Sequence, residues 1–246
     1  VSMYIAMNYI VASSLGTTDM AAQVIILSFF SCVCMLADSL NMTAQSFIPS
    51  IFERPKSKER ADSLKKITRD FMKAAGIFGA TTVGLVACLP VLVKLFTADA
   101  SVIALVNSVV PLLMINFAAH AMVCAGEGML LGQKDLSFLG RAFAFFFAVV
   151  PWAMLRVRDW AGSNLKLTTL WKVFVGYNCF RCMTWISRIL FLERKTQKEA
   201  AALSVPPVNF FEDVDSISNS LPDVQTIPLA KSRDEGAPEE LAVAPA

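Results

Sequence analysis

The sequence predicts an all-α integral membrane protein built as one six-helix bundle whose first helix is truncated. The chain has 246 residues, of which 55% are hydrophobic and only 17% charged, against roughly 25% charged residues in soluble domains. Its mean hydropathy is +0.55. The apolar residues gather in long runs separated by short charged clusters, and a run of about 20 apolar residues can cross a bilayer as a helix.

The first two spans flank the polar turn LGTTD. Residues 1–15 form a run too short to cross a bilayer alone, so we expect them to be the end of a longer helix, and the chain to be the C-terminal part of a longer protein. Gly16 favours the end of that helix. The second span, 20–52, holds a single charged residue, Asp38, near its middle.

The third and fourth spans are also almost free of charge. Residues 71–96 contain an uncharged core, and Pro90 should kink its far end because proline lacks the amide hydrogen that a helix needs. Residues 101–133 contain one acid, Glu127, and no Lys or Arg. Each of these two spans is long enough for a complete transmembrane helix.

The fifth and sixth spans complete the membrane region, which ends at residue 192. They cover residues 136–156 and 167–192, and the sixth carries Arg181 near its middle. Residues 193–246 hold 10 acidic against 5 basic residues and six of the eleven prolines. Such a composition cannot bury a core, so we expect a disordered, acidic cytoplasmic tail.

The basic residues cluster in one connection and set the orientation. Residues 53–73, between the second and third spans, hold eight Lys or Arg and should therefore face the cytoplasm or its equivalent. This positive charge is local and calls for no nucleic acid. The lipid bilayer is the partner that the composition predicts.

Polar residues on the second and fourth spans fall on shared helical faces. Residues seven apart nearly eclipse on a helix, so Asp38 and Gln45 share a face with Asn41 close to it. Asn116, His120 and Glu127 share a face of the fourth span in the same way. The residues that we expect to form one polar seam between helices are Asp38, Asn41, Gln45, Asn116, His120 and Glu127.

The seam allows two interpretations. A charged group in a bilayer is costly and usually faces a bundle interior or a water-filled cavity, which favours Asp38 and Glu127 as sites where a proton or cation binds, with the amides lining a cavity. A hydrogen-bond network that only holds the helices together is the alternative. His120, the only histidine, can shuttle protons or simply donate one hydrogen bond.

Arg181 needs a countercharge at its depth in the bilayer. Asp38 and Glu127 are the intramembrane acids of this sequence, and an acid in a preceding part of a longer protein is a third possibility.

The sequence offers no pattern for enzymatic chemistry or for a resident metal or cofactor. Cys179 and Cys182 have CxxC spacing, but His120 is far from them in sequence, so we expect no metal site. Neither an HExxH motif nor a paired acidic metal motif occurs. We therefore expect a protein that is not an enzyme and that needs no cofactor beyond a coupling ion, H⁺ or Na⁺.

Three stretches resemble one transporter family. The segment LGTTDMAAQVIILSFFSCVCMLADSLNMTAQSFIP resembles the repeated helix pair of multidrug and toxic compound extrusion (MATE) transporters. GEGMLLGQKDLSFL resembles the family's tenth helix and the loop after it. WKVFVGYNCFRCMTWISRIL resembles the last helix of the DinF-like plant and algal branch, which keeps arginines at positions like Arg181 and Arg188.

The resemblance implies the C-terminal lobe of a twelve-helix antiporter, with an N-terminal lobe of the same protein as partner. Such a protein exports small organic compounds or metabolites in exchange for H⁺ or Na⁺. It lies in the plastid envelope or the plasma membrane. The family has an acid on its seventh helix, where this chain has only Asn8 as a polar group at that depth, so Asn8 is a further candidate for lining the cavity. The alternatives are a flippase of related fold for lipid-linked substrates and a lobe that does not transport.

Overall fold

The computed structural model describes residues 2–203, and this part of the chain is helical throughout apart from its turns. The helices are α1 (Ser2–Ser14), α2 (Thr17–Phe52), α3 (Lys58–Ala87), α4 (Leu89–Leu92), α5 (Ala100–Gly132), α6 (Leu136–Ala161) and α7 (Leu167–Leu203), with 3-10 turns at Val93–Leu95 and Gly162–Asn164. The prediction of an all-α fold is confirmed.

Four helical segments within residues 2–203 are long and apolar enough to cross a membrane. They are α2, the segment Lys58–Leu95, α5 and the segment Leu136–Asn164. The 37-residue α7 is long enough but does not reach the same hydropathy, because Lys172, Arg181 and Arg188 are spread along its apolar part. The sixth predicted span therefore stays a prediction.

The basic connection between the second and third spans is mostly helix. α3 begins at Lys58, thirteen residues before the predicted start of the third span, and the Ser57 side chain caps it by accepting a hydrogen bond from the Arg60 amide at 3.1 Å. Lys, Arg and Glu are good helix formers, so the helix extends past the membrane. At the far end the helix breaks at Cys88, and Pro90 stands in the first turn of α4.

The last helix continues past the predicted start of the tail. α7 extends to Leu203, so residues 193–203 are helical and the predicted boundary at 193 is wrong by eleven residues. The extension packs on the N-terminal end of α3, where Ala61 and Ala200 are buried. Two ion pairs join it to α3 and the loop before it: Glu193 with Lys65 at 3.7 Å and Glu199 with Lys56 at 2.9 Å. The rest of the predicted tail, 204–246, lies outside the described residues.

The turn between α5 and α6 contacts the C-terminal end of α2 and the middle of α7 through two ion pairs. Lys134 adopts a left-handed conformation (φ 59°), which ends α5 and directs its ammonium to Glu53 at 2.6 Å. That hydrogen bond, and then the lysine's charge, hold the pKa of Glu53 below its ordinary value. The pair therefore stabilises the fold at neutral pH, and its contribution is lost as the pH falls through the lowered pKa. Beside it, Arg188 donates to both oxygens of Asp135, at 2.6 and 3.2 Å.

α5 lies against α2 through two glycines spaced four residues apart. A Cβ added at Gly128 would overlap the Asn41 carbonyl oxygen and lie 2.9 Å from the Ala44 Cβ, and one added at Gly132 would lie 2.7 Å from the Ile48 Cβ. Small residues at this spacing let two membrane helices approach closely. The backbones of α2 and α5 therefore meet without intervening side chains.

Replacing Gly128 with Ala is expected to lower the free energy of unfolding by about 1–3 kcal/mol, because the new methyl group meets backbone that cannot move aside cheaply. Gly84→Ala on α3 is the matched control, since a Cβ there meets nothing within 4 Å. It should leave the stability unchanged or raise it by up to about 1 kcal/mol through helix propensity. Denaturant unfolding in mixed micelles measures both. Equal effects of the two substitutions would contradict the close contact.

Candidate functional site

The carboxylate at the middle of α2 lies against the centre of α5. The Cys124 thiol donates a weak hydrogen bond to Asp38 Oδ1 at 3.7 Å and lies 3.5 Å from His120 Nε2. His120 and Cys124 are four residues apart, which places both on the same face of α5. Cys124 is buried, His120 is half-buried and Asp38 is exposed at the edge of the described bundle. Asp38 therefore makes a polar contact with α5, but it does not take part in a buried ion pair with the described residues.

The second acid, Glu127, forms an ion pair with Arg181 of α7. Both side chains are only 17% exposed. The Arg181 guanidinium also lies over the rings of Phe143 and Trp185, at 5.5 and 5.7 Å from their centroids. Of the two acids that the sequence offers as its countercharge, Arg181 thus contacts Glu127, and the pair ties α5, α6 and α7 together.

The predicted amides of α1 and α5 take part in two buried hydrogen-bond groups. Asn178 of α7 donates to the side-chain and backbone oxygens of Asn116, each at 3.1 Å. Gln23 of α2 donates to Asn8 of α1 at 3.2 Å and accepts from the Trp171 indole at 2.9 Å. Gln23, Trp171 and Asn116 are fully buried, so these bonds satisfy the Gln23 amide and the Trp171 indole inside the bundle. The Asn116 side-chain oxygen accepts a bond, whereas its side-chain nitrogen is buried without a partner among the described residues.

Asn41 and Gln45 interact with each other along α2. The Gln45 amide donates to Asn41 Oδ1 at 2.8 Å, one helical turn away. Asn41 also lies where Gly128 makes room for it. Asn41 thus belongs to the contact between α2 and α5, and Gln45 adjoins it one helical turn closer to the C-terminal end of α2.

A cavity of about 250 Å³ opens among α1, α2, α5, α6 and α7. Its polar groups include His120, Asn178 and Arg181. The rest of the lining is mostly aromatic: Tyr4, Phe30, Phe143, Phe146, Phe147, Phe174 and Tyr177, with Met3 and Val150. Such a lining suits a small, flat organic molecule that makes a few polar contacts.

The predicted polar residues divide between this cavity and the helix contacts. His120 and Arg181 line the cavity. Asp38 does not line it but contacts Cys124, next to His120, and Asn116 accepts a hydrogen bond from the lining residue Asn178. None of the aromatic lining residues was predicted from the sequence, and neither was the amide of Asn178. Its signal was its position three residues before Arg181, which places both on one face of α7.

The arrangement can hold one proton or cation at Asp38 without breaking another ion pair. Because Glu127 is already paired with Arg181, Asp38 is the acid of this seam that no described Lys or Arg neutralises within 4 Å. Its nearest polar partners, a thiol and an imidazole, can donate to its anion or accept from its protonated form. Of the two predicted ion-coupling residues, Asp38 is thus the one that can gain a proton or a cation without losing an existing ion pair.

Comparison with known proteins gives one distant similarity. The chain is 24% identical over 184 residues to Protein DETOXIFICATION 47, chloroplastic, of Arabidopsis thaliana. The alignment covers 73% of this chain and 32% of the relative, so the chain spans about a third of the length of the curated relative it matches. No family model matches, and the search of solved structures gave no significant match.

Proposed function

We propose that the chain is the C-terminal lobe of a MATE-type secondary transporter, which exports small organic compounds in exchange for H⁺ or Na⁺. The observation that carries this proposal is the unneutralised carboxylate of Asp38, halfway along the apolar α2 and beside the α5 groups His120 and Cys124. The similarity to a DETOXIFICATION protein over 73% of the chain supports it.

Asp38 requires water or a second protein surface. Its side chain is exposed in the described bundle, and an ionised carboxylate facing lipid would be costly. The relative extends well beyond the aligned region, which leaves room for a second lobe to cover this side. A water-filled crevice between two lobes would then expose Asp38 to a coupling ion.

Binding of that ion would change how α2 packs against α5. Neutralising Asp38 removes a charge from the edge of the seam, where the two backbones already meet closely at Gly128. The neutral and ionised forms therefore favour different helix arrangements, and a ligand shifts such an equilibrium by its differential affinity. Alternating access of this kind couples entry of the ion to release of the substrate.

The cavity favours small aromatic or planar organic compounds as substrates. Its one described guanidinium, Arg181, is neutralised by Glu127, so the lining of the described residues presents no net charge to a ligand. Aromatic walls bind flat molecules of either sign or none through burial of apolar surface. We propose the plastid envelope as the membrane, because the relative is named as a chloroplastic protein.

Transport in lipid vesicles tests the function. The full-length protein would be reconstituted with ethidium as a planar cation and, separately, ferulate as a planar organic anion. A pH gradient and a Na⁺ gradient would be imposed one at a time. We expect one gradient to accelerate export of at least one probe. Equal export with either gradient and with both collapsed would contradict a coupled antiporter.

A further inference from the structure

We propose that Asp38, His120 and Cys124 form a binding site for a divalent transition-metal ion of the Zn²⁺ type. Each residue offers one ligand atom, and the three atoms all lie within 4.8 Å of one another. The expectation of no metal site considered His120 only with Cys179 and Cys182, whereas the fold brings it to a thiol four residues along its own helix and to a carboxylate of α2. This inference concerns binding and does not rest on the transport proposal.

Two of the three distances between the ligand atoms are close to those of a tetrahedral site. With Zn–S bonds of about 2.3 Å and Zn–N or Zn–O bonds of about 2.0–2.2 Å, tetrahedral angles separate the ligand atoms by about 3.3–3.6 Å. Cys124 Sγ lies 3.5 Å from His120 Nε2 and 3.7 Å from Asp38 Oδ1. The ligand atoms of Asp38 and His120 lie within 4.8 Å of each other, so rotation of these two side chains toward the thiol would let all three share one ion.

The ligand types select the class of ion. A thiolate and an imidazole favour Zn²⁺ and similar borderline or soft ions over Na⁺, Mg²⁺ or Ca²⁺, which prefer oxygen. When Cys124 loses its proton to water on binding, its thiolate and the Asp38 carboxylate together offset the two positive charges. The site is then formally neutral, which suits a membrane interior, and the adjacent Glu127–Arg181 pair adds no net charge.

Water or a small molecule could reach the ion and occupy its fourth coordination position. His120 lines the aromatic cavity of about 250 Å³, and Asp38 is exposed on its other side. Three protein ligands with one open position are typical of zinc sites that bind a water or a small molecule. A bound ion would also join α2 to α5 and occupy the carboxylate that we assign to the coupling ion.

A titration with Co²⁺, which reports tetrahedral and thiolate coordination by its absorption, tests the site. The full chain purified in detergent should bind one Co²⁺ with visible d–d bands and a near-ultraviolet thiolate band, and excess Zn²⁺ should remove both. Cys124→Ser should abolish the thiolate band and weaken binding at least about tenfold. Cys88→Ser, at an exposed cysteine between α3 and α4, is the matched control and should leave the spectrum unchanged.

Two further variants keep the result decisive if Cys124→Ser folds poorly. In Asp38→Asn and His120→Gln the thiol remains, so its alkylation by N-ethylmaleimide can be followed by mass spectrometry. Zn²⁺ should protect Cys124 in the unsubstituted chain and protect it much less in either variant. A Co²⁺ spectrum that survives Cys124→Ser, one lost instead in Cys179→Ser, or alkylation of Cys124 that Zn²⁺ does not slow would each overturn the proposal.

Discussion

Replacing Asp38 with Asn is expected to reduce gradient-driven export to the rate of vesicles without a gradient, while the protein stays folded. Asn has nearly the same shape and can still accept from the Cys124 thiol, which lies 3.7 Å from the carboxylate. It cannot ionise, however, so the two charge states that would drive alternation are lost. Export is measured in vesicles with the driving gradient imposed, and folding by circular dichroism and gel filtration.

Ser39→Ala is the matched control for this substitution. Ser39 neighbours Asp38 in sequence, but within residues 2–203 its hydroxyl donates only to the Leu36 carbonyl of its own helix, at 2.7 Å. Removing that hydroxyl should leave export close to that of the unsubstituted protein. If Asp38→Asn exports at the full rate, or if both substitutions reduce export alike, Asp38 has no role in coupling.

Replacing Glu127 with Gln is expected to lower the free energy of unfolding by about 3–5 kcal/mol. The substitution leaves Arg181 charged at a position where its side chain is 17% exposed. A charge removed from water without its partner is strongly destabilising, and the rings of Phe143 and Trp185 offset only part of that cost. Denaturant unfolding in mixed micelles gives the change.

The double substitution Glu127→Gln with Arg181→Met, compared with the two single substitutions, measures the interaction between the two side chains. Because it removes both charges, it should recover most of the lost stability, so the two changes are strongly non-additive. A loss below about 1 kcal/mol for Glu127→Gln, which is typical of exposed ion pairs, would show that water reaches the pair. Additive effects of the two substitutions would show that they do not interact.

The fold class was predictable from the sequence because membrane helices leave a simple signal. The long apolar runs predicted where α2, α5 and α6 lie, and Pro90 predicted the break after α3. The ends of the helices were less predictable, since good helix formers in water continue a helix past the bilayer. This is why α3 begins at Lys58 and α7 continues to Leu203.

The candidate site was predictable only in part. Helical spacing placed Asp38 on one face of α2, and His120 and Glu127 on one face of α5, but spacing cannot say which residues of two helices meet. The bond between Gln23 and Trp171, 148 residues apart, depends on how α2 and α7 pack. The same holds for the approach of Cys124 to Asp38, which gives the site its thiol.

The central claim is that water reaches position 38, and cysteine accessibility measures this directly. In a chain whose native cysteines are replaced by serine, Asp38→Cys and Leu36→Cys would be treated with a charged, membrane-impermeant methanethiosulfonate and then counted with a maleimide dye after denaturation. Leu36 is exposed but lies about 160° around α2 from position 38 at nearly the same depth, so we expect it to face lipid. The account predicts that position 38 is blocked and position 36 is not. A cysteine at position 38 that the charged reagent leaves unmodified, on either side of the membrane, would contradict it.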